Sequence, residues 1–96
     1  MSYGGETDEV SRLLQQLKKL GVSIIGMTGQ RQSTLGRHAD VVLSLGAMRE
    51  ACPLGLAPSC STTAMLALGD ALALTVLKMR NFGPEDFALY HPGGSL

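Results

Sequence analysis

Aromatic residues are scarce: two Tyr, two Phe and no Trp make up 4% of 96 residues. A chain so poor in rings builds its core from aliphatic side chains, which supply most of its 45% hydrophobic content. That composition suits helices packed on a sheet better than a disulfide-stapled or disordered chain. Cysteine is nearly absent. Cys52 and Cys60 are too few for a secreted disulfide framework, and with no Cys-x-x-Cys pair and no nearby histidine they make no zinc pattern. Reduced thiols and a cytoplasmic location are the expectation. Net charge is zero, eight basic residues against eight acidic ones, which excludes a broad positive field for nucleic acid or an anionic membrane. Any anion site must be local. Residues 1–5 lack the basic start and apolar core of a signal peptide. The most hydrophobic stretch, residues 64–77, is broken by Gly69 and Asp70 and falls short of the roughly 20 apolar residues of a membrane span. It reads as a buried helix in a single domain near the lower size limit for a self-sufficient core.

What is present alternates. A polar, glycine-bearing turn at residues 2–7 leads into Val10, Leu13, Leu14, Leu17 and Leu20 at helical spacing, with acids at the front, lysines at the back and Gly21 as the stop. Residues 22–27 form a short apolar run bounded by glycine, read as a buried parallel strand. Residues 30–38 read as a loop with one helical turn capped by Ser33, and residues 41–45 as a second buried strand. A long helix, apolar on nearly every face, is expected from Ser61 or Thr62 to near Arg80, buried between sheet and partner. Pro84 fits the first position of a last short helix. The alternation predicts a doubly wound α/β sheet.

The stretch organising the chain is residues 50–63, Glu-Ala-Cys-Pro-Leu-Gly-Leu-Ala-Pro-Ser-Cys-Ser-Thr-Thr. Proline and glycine forbid regular structure through its middle. Ser59, Ser61, Thr62 and Thr63 supply capping hydroxyls at a helix start whose unpaired N–H groups and dipole favour an anion such as phosphate. Glu50 stands before this rigid segment with no helix to serve, which marks it as a functional group, although Arg49 offers a surface ion pair instead. Glu9 on its own is a helix-front acid, and His91 an exposed histidine near the chain end. His38 reads as a surface residue near a helix end, and Cys60 as a small packing residue.

Three blocks then stand together: Gly5-Glu6-Thr7 with Glu9, the Glu50-Ala-Cys-Pro-Leu-Gly-Leu-Ala-Pro segment followed by Ser61-Thr62-Thr63, and His91-Pro-Gly-Gly-Ser. They resemble the sugar isomerase (SIS) domain of D-arabinose-5-phosphate isomerases, and the resemblance runs over practically the whole chain. It implies a three-layer, flavodoxin-like parallel α/β fold, present in part. It also implies interconversion of D-ribulose 5-phosphate and D-arabinose 5-phosphate, a precursor of the lipopolysaccharide sugar Kdo, without a redox cofactor or metal.

Carried over by motif, Glu9, Glu50 and His91 are the expected catalytic residues. Phosphate contacts are expected from Ser2, Thr7 and the backbone at Gly4 and Gly5, with Ser61 and Thr62 as further substrate contacts. Gly4 replaces a serine of the related Ser-x-Ser-Gly-x-Thr loop, so one hydroxyl donor is lost while the backbone donors are expected to remain. The resemblance further implies a homo-oligomer, dimer or tetramer, in which His91 reaches a neighbouring subunit's site. It implies too that residues 1–96 correspond to the second half of the domain, with a glycine-serine loop and a lysine preceding and a pair of CBS domains following. A non-catalytic phosphosugar-binding module is the competing expectation, favoured by Gly4.

Overall fold

The computed structural model describes residues 1–94, so the serine that closes the His91-Pro-Gly-Gly-Ser motif lies outside the described residues. The chain divides into two compact units, Met1–Leu66 and Ala67–Leu96. In the first, α1 (Asp8–Lys19), β1 (Ile25–Thr28), α2 (Thr34–His38) and β2 (Val41–Ser44) follow one another, and the 20-residue α3 (Cys60–Met79) begins there.

Helix α1 forms as its pattern predicts, with Asp8 and Glu9 in the first turn and Lys18 and Lys19 in the last, each complementing the helix dipole. Gly21, at a φ of 70°, ends it: the Gly21 and Val22 N–H groups donate to Lys18 O and Leu17 O. Ser33 caps α2 as expected, its Oγ accepting from Gly36 N at 3.2 Å. The strands are parallel, from Ile25 opposite Val41 to Thr28 opposite Ser44. Leu14, Ile24 and Leu35 form the core, with Val10, Leu17 and Ala39 packed against it. Asp40 fastens the strand starts together. Its carboxylate accepts from Ile24 N and from Lys18 Nζ, both at 2.7 Å.

The expected α/β parallel arrangement is therefore present at the scale of two strands. Burial is where it differs. The first strand begins at Ile25 rather than at position 22, and Val22 and Val41 are about half exposed. A sheet of two strands has too little face to cover both sides of either one.

In the second unit, α3 closes through Asn81, whose φ of 52° lets Phe82 N return to Leu77 O at 3.2 Å. Helix α4 (Pro84–Tyr90) starts on Pro84 as expected, and Asp86 Oδ2 accepts from Gly83 N at 2.8 Å. Helix α3 corrects two expectations. Only Ser61 along it is buried, and Leu66, Leu74, Val76, Leu77 and Met79 are exposed. A helix apolar on all faces needs neighbours on all sides. With residues 60–63 and 78–79 added to the apolar stretch, the helix is 20 residues long and holds 18 consecutive residues of mean hydropathy 1.6, which reaches what crossing a membrane requires in length and composition.

Leu14 is 3% exposed at the centre of the core. Leu14→Ala is expected to destabilise the intact protein by about 2–4 kcal/mol through lost burial and the cavity left behind. Gln15→Ala, one residue away and exposed, should stay within about 0.5 kcal/mol. Urea unfolding of the two variants checks the contrast.

Candidate functional site

The turn of residues 2–7 is built on the C-terminal end of β1. Ser2 N donates to Met27 O at 3.1 Å and Gly29 N to Tyr3 O at 2.9 Å. The Thr28 hydroxyl, on a side chain with no exposed surface, donates to the same Tyr3 carbonyl at 2.9 Å. Gly5 then turns with a φ of 72°, and any side chain there would overlap Ser33 at the head of α2. Its carbonyl accepts from Leu35 N at 3.0 Å. Glycine is required at this position by both conformation and space.

Four of the expected phosphate contacts, Ser2, Gly4, Gly5 and Thr7, thus lie in one turn. The Ser2 hydroxyl accepts from Gly5 N at 3.1 Å and lies 2.7 Å from the Thr7 hydroxyl. This corrects the expectation that the Gly5 backbone donor stays available, because Ser2 already holds it. Gly4 is exposed with open space where a side chain would stand. Thr7 takes the N-cap position of α1 without a side-chain bond to the helix, so the first N–H groups of α1 carry their dipole end uncapped.

One residue that the sequence did not single out belongs here. Glu6 Oε1 accepts from Thr34 N at 2.7 Å, placing a carboxylate on the start of α2. The Thr34 hydroxyl, then the Thr34 N–H and Arg37, lower its pKa against the opposing effect of desolvation. Its partner is 28 positions away, beyond the reach of any local pattern.

Glu50 does the same for α3. Its Oε2 accepts from Ser59 N at 2.8 Å, the Ser59 hydroxyl at 3.0 Å and Ser61 N at 3.3 Å. The expectation that this acid has no helix to serve is corrected: the helix it serves begins at Cys60, brought back by the Pro-Gly turn. The Ser61 hydroxyl is the largest influence on its pKa, which falls from 4.5 to about 2; desolvation opposes, and the two backbone donors and the Ser59 hydroxyl add to the fall. The helix start that the sequence offered to phosphate is therefore occupied by the chain's own carboxylate, with Ser61 bound to it. Thr62 turns its hydroxyl back to Ser59 O at 2.9 Å.

Glu9 is exposed at the second position of α1. His91 ends α4 in the second unit, its ring stacked on Phe87 at 4.1 Å and its Nδ1 3.1 Å from Phe87 O. A carbonyl oxygen only accepts, so Nδ1 carries the hydrogen and the neutral ring keeps its lone pair on Nε2. A groove of about 570 Å³ between α1 and α2 is lined by Asp8, Arg12, Lys19, Thr34 and His38 among others. None of the expected catalytic residues lines it. Among the described residues no group of three or more His, Cys, Asp or Glu is placed to hold a metal ion.

Residues 1–75 match the model of the SIS domain. A probable arabinose 5-phosphate isomerase of Haemophilus influenzae is 54% identical over all 96 residues, which cover 28% of that protein. The arabinose 5-phosphate isomerase KdsD of Escherichia coli K12 is 53% identical over the same span, 29% of its length. Among solved structures, an E. coli CFT073 protein in complex with arabinose 5-phosphate superposes with a TM-score of 0.83 at 42% identity, covering 94% of this chain and 48% of that one. A phosphosugar isomerase fold from Bacteroides fragilis, described as involved in capsule formation, gives 0.88 at 38% identity, with 98% and 50% covered. The chain spans less than a third of the length of these curated relatives.

The Glu50 cluster fixes a pH dependence. A carboxylate whose folded pKa is depressed stabilises the fold fully above 4.5 and loses that contribution as pH falls through about 2. Between those values wild type should lose unfolding free energy more steeply than Glu50→Gln, which lacks this group. Urea melts repeated at descending pH test this; parallel slopes would show that Glu50 does not sit on α3.

Proposed function

The chain belongs to the SIS domain family, and from that premise we propose that it forms part of an aldose–ketose isomerase interconverting D-ribulose 5-phosphate and D-arabinose 5-phosphate. One observation carries the reading: more than half of all 96 residues are shared with arabinose 5-phosphate isomerases. The turn at residues 2–7 supports it by presenting hydroxyls and the uncapped start of α1 to an anion. The sugar's phosphate is held there through Ser2, Gly4 and Thr7, with Gly5 shaping the turn rather than donating, and its binding energy positions the carbonyl end.

From the aldose, a base takes the C2 proton while an acid protonates O1, giving the 1,2-enediol. Loss of the O2 proton and protonation at C1 complete the ketose. Glu9, Glu50 and His91 share these transfers. Glu50, accepting three hydrogen bonds, is ionised throughout the neutral range and is a weak base; it suits holding a substrate hydroxyl. His91, with Nε2 unprotonated in the neutral ring, suits moving the proton between carbons or oxygens. In this reading the protein is cytoplasmic, acts in supply of a lipopolysaccharide precursor, assembles as a homo-oligomer and carries CBS domains beyond the SIS domain. Membranes and nucleic acids are not its partners.

The test is an isomerisation assay on the intact protein with Glu50→Gln and His91→Ala. Each should lower kcat by about 10²-fold or more, in the range of a lost general acid or base. Wild-type turnover in both would end the catalytic assignment. Titration with arabinose 5-phosphate that shows binding by a wild-type protein without turnover would instead support a phosphosugar-binding module.

A further inference from the structure

Tyr3 lies in the turn proposed to bind phosphate, yet its side chain leaves that turn. The ring covers Gly29 so closely that any side chain there would overlap it. Beyond the ring, the hydroxyl accepts from Met48 N at 2.9 Å and donates to Gly46 O at 3.2 Å. Both partners stand on the segment that leaves β2 for Glu50, and Met48 is two residues before Glu50. The backbone of Tyr3 is meanwhile fixed on the opposite side, its carbonyl receiving both Thr28 Oγ1 and Gly29 N. One residue therefore joins the two loops directly.

We propose that Tyr3 is a positioning residue: its hydroxyl sets the Glu50 segment at a fixed distance from the phosphate-binding turn. This inference rests on the isomerase reading. A sugar phosphate held at one end by residues 2–7 reacts at the other end, so the separation of turn and acid decides whether Glu50 meets the reacting carbons. Glu50 is held from behind by the N–H groups of Ser59 and Ser61, and the chain entering it is held by Tyr3. Releasing the Tyr3 bonds frees the approach to Glu50 while leaving Ser2, Gly5 and Thr7 with their own partners, all of which are independent of the phenol oxygen.

Tyr3→Phe keeps the ring over Gly29 and removes only the hydroxyl. In the intact protein it should lower kcat about tenfold, with KM for the sugar phosphate and the affinity for inorganic phosphate within about twofold of wild type. The Met48 amide should exchange slowly in wild type and rapidly in the variant. Unchanged kcat in Tyr3→Phe, or a loss confined to KM and phosphate affinity, overturns the proposal. Wild type and Glu50→Gln measured alongside separate the two failures: active wild type, inactive Glu50→Gln and fully active Tyr3→Phe remove the Tyr3 role alone, whereas a wild type without turnover removes the isomerase reading beneath it. If Tyr3→Phe does not fold, the wild-type Met48 amide decides, slow exchange supporting the strap and fast exchange overturning it.

Discussion

A buried hydroxyl at the end of β1 is the constraint on which the first unit depends. Thr28 has no exposed surface, and its Oγ1 both donates to Tyr3 O and accepts from Gln30 N at 3.1 Å. A hydroxyl so placed must satisfy its bonding inside the protein, because an unpaired one is costly. Satisfying it draws residues 2–3 against the strand end, and that docking aims Gly5 at α2 and Thr7 at the head of α1. The open turn has no regular structure of its own; its shape is borrowed from the strand it leans on.

A second regularity concerns the helix starts. Glu6 serves α2, Glu50 serves α3 and Asp86 serves Gly83 at the start of α4. Each acid lies where the helix dipole and orphan N–H groups favour negative charge. Thr7, at the start of α1, makes no side-chain cap bond to its helix. With the starts of α2 and α3 already holding a carboxylate, the proposed phosphate contact falls to the first N–H groups of α1, beside the hydroxyls of Ser2 and Thr7. This locates the proposed phosphate contact more narrowly than a count of helix N-termini.

Much of this was legible in sequence because it is local. Periodicity gave α1, Ser33 and Gly36 are three positions apart, and Pro84 with Asp86 sits within one turn. The parallel strands followed from apolar runs separated by a short helical stretch. What escaped was non-local. Glu6 meets Thr34, Tyr3 meets Met48, and Glu50 reaches a helix across a Pro-Gly turn; no spacing rule links such pairs. The exposed α3 escaped for another reason: composition states that a helix is apolar, not what covers it. The family resemblance named Glu9, Glu50 and His91, while the surroundings of each came only with coordinates.

Those surroundings change how the proposed chemistry divides. A carboxylate with three donors is stabilised in its charged form, so each added hydrogen bond makes it a poorer base. The same bonds fix its direction, which a hydroxyl-binding acid needs more than basicity does. An imidazole whose Nδ1–H is engaged by Phe87 O has the opposite balance: one nitrogen is committed and the other keeps its lone pair free. If Glu50 and His91 act on one sugar, orientation therefore falls to the acid and transfer to the imidazole. Glu9, exposed beside the uncapped start of α1, stands next to the turn proposed to hold the phosphate. Its charge would repel that anion unless the sugar lies between them, so its part in transfer demands a substrate stretched away from the helix head.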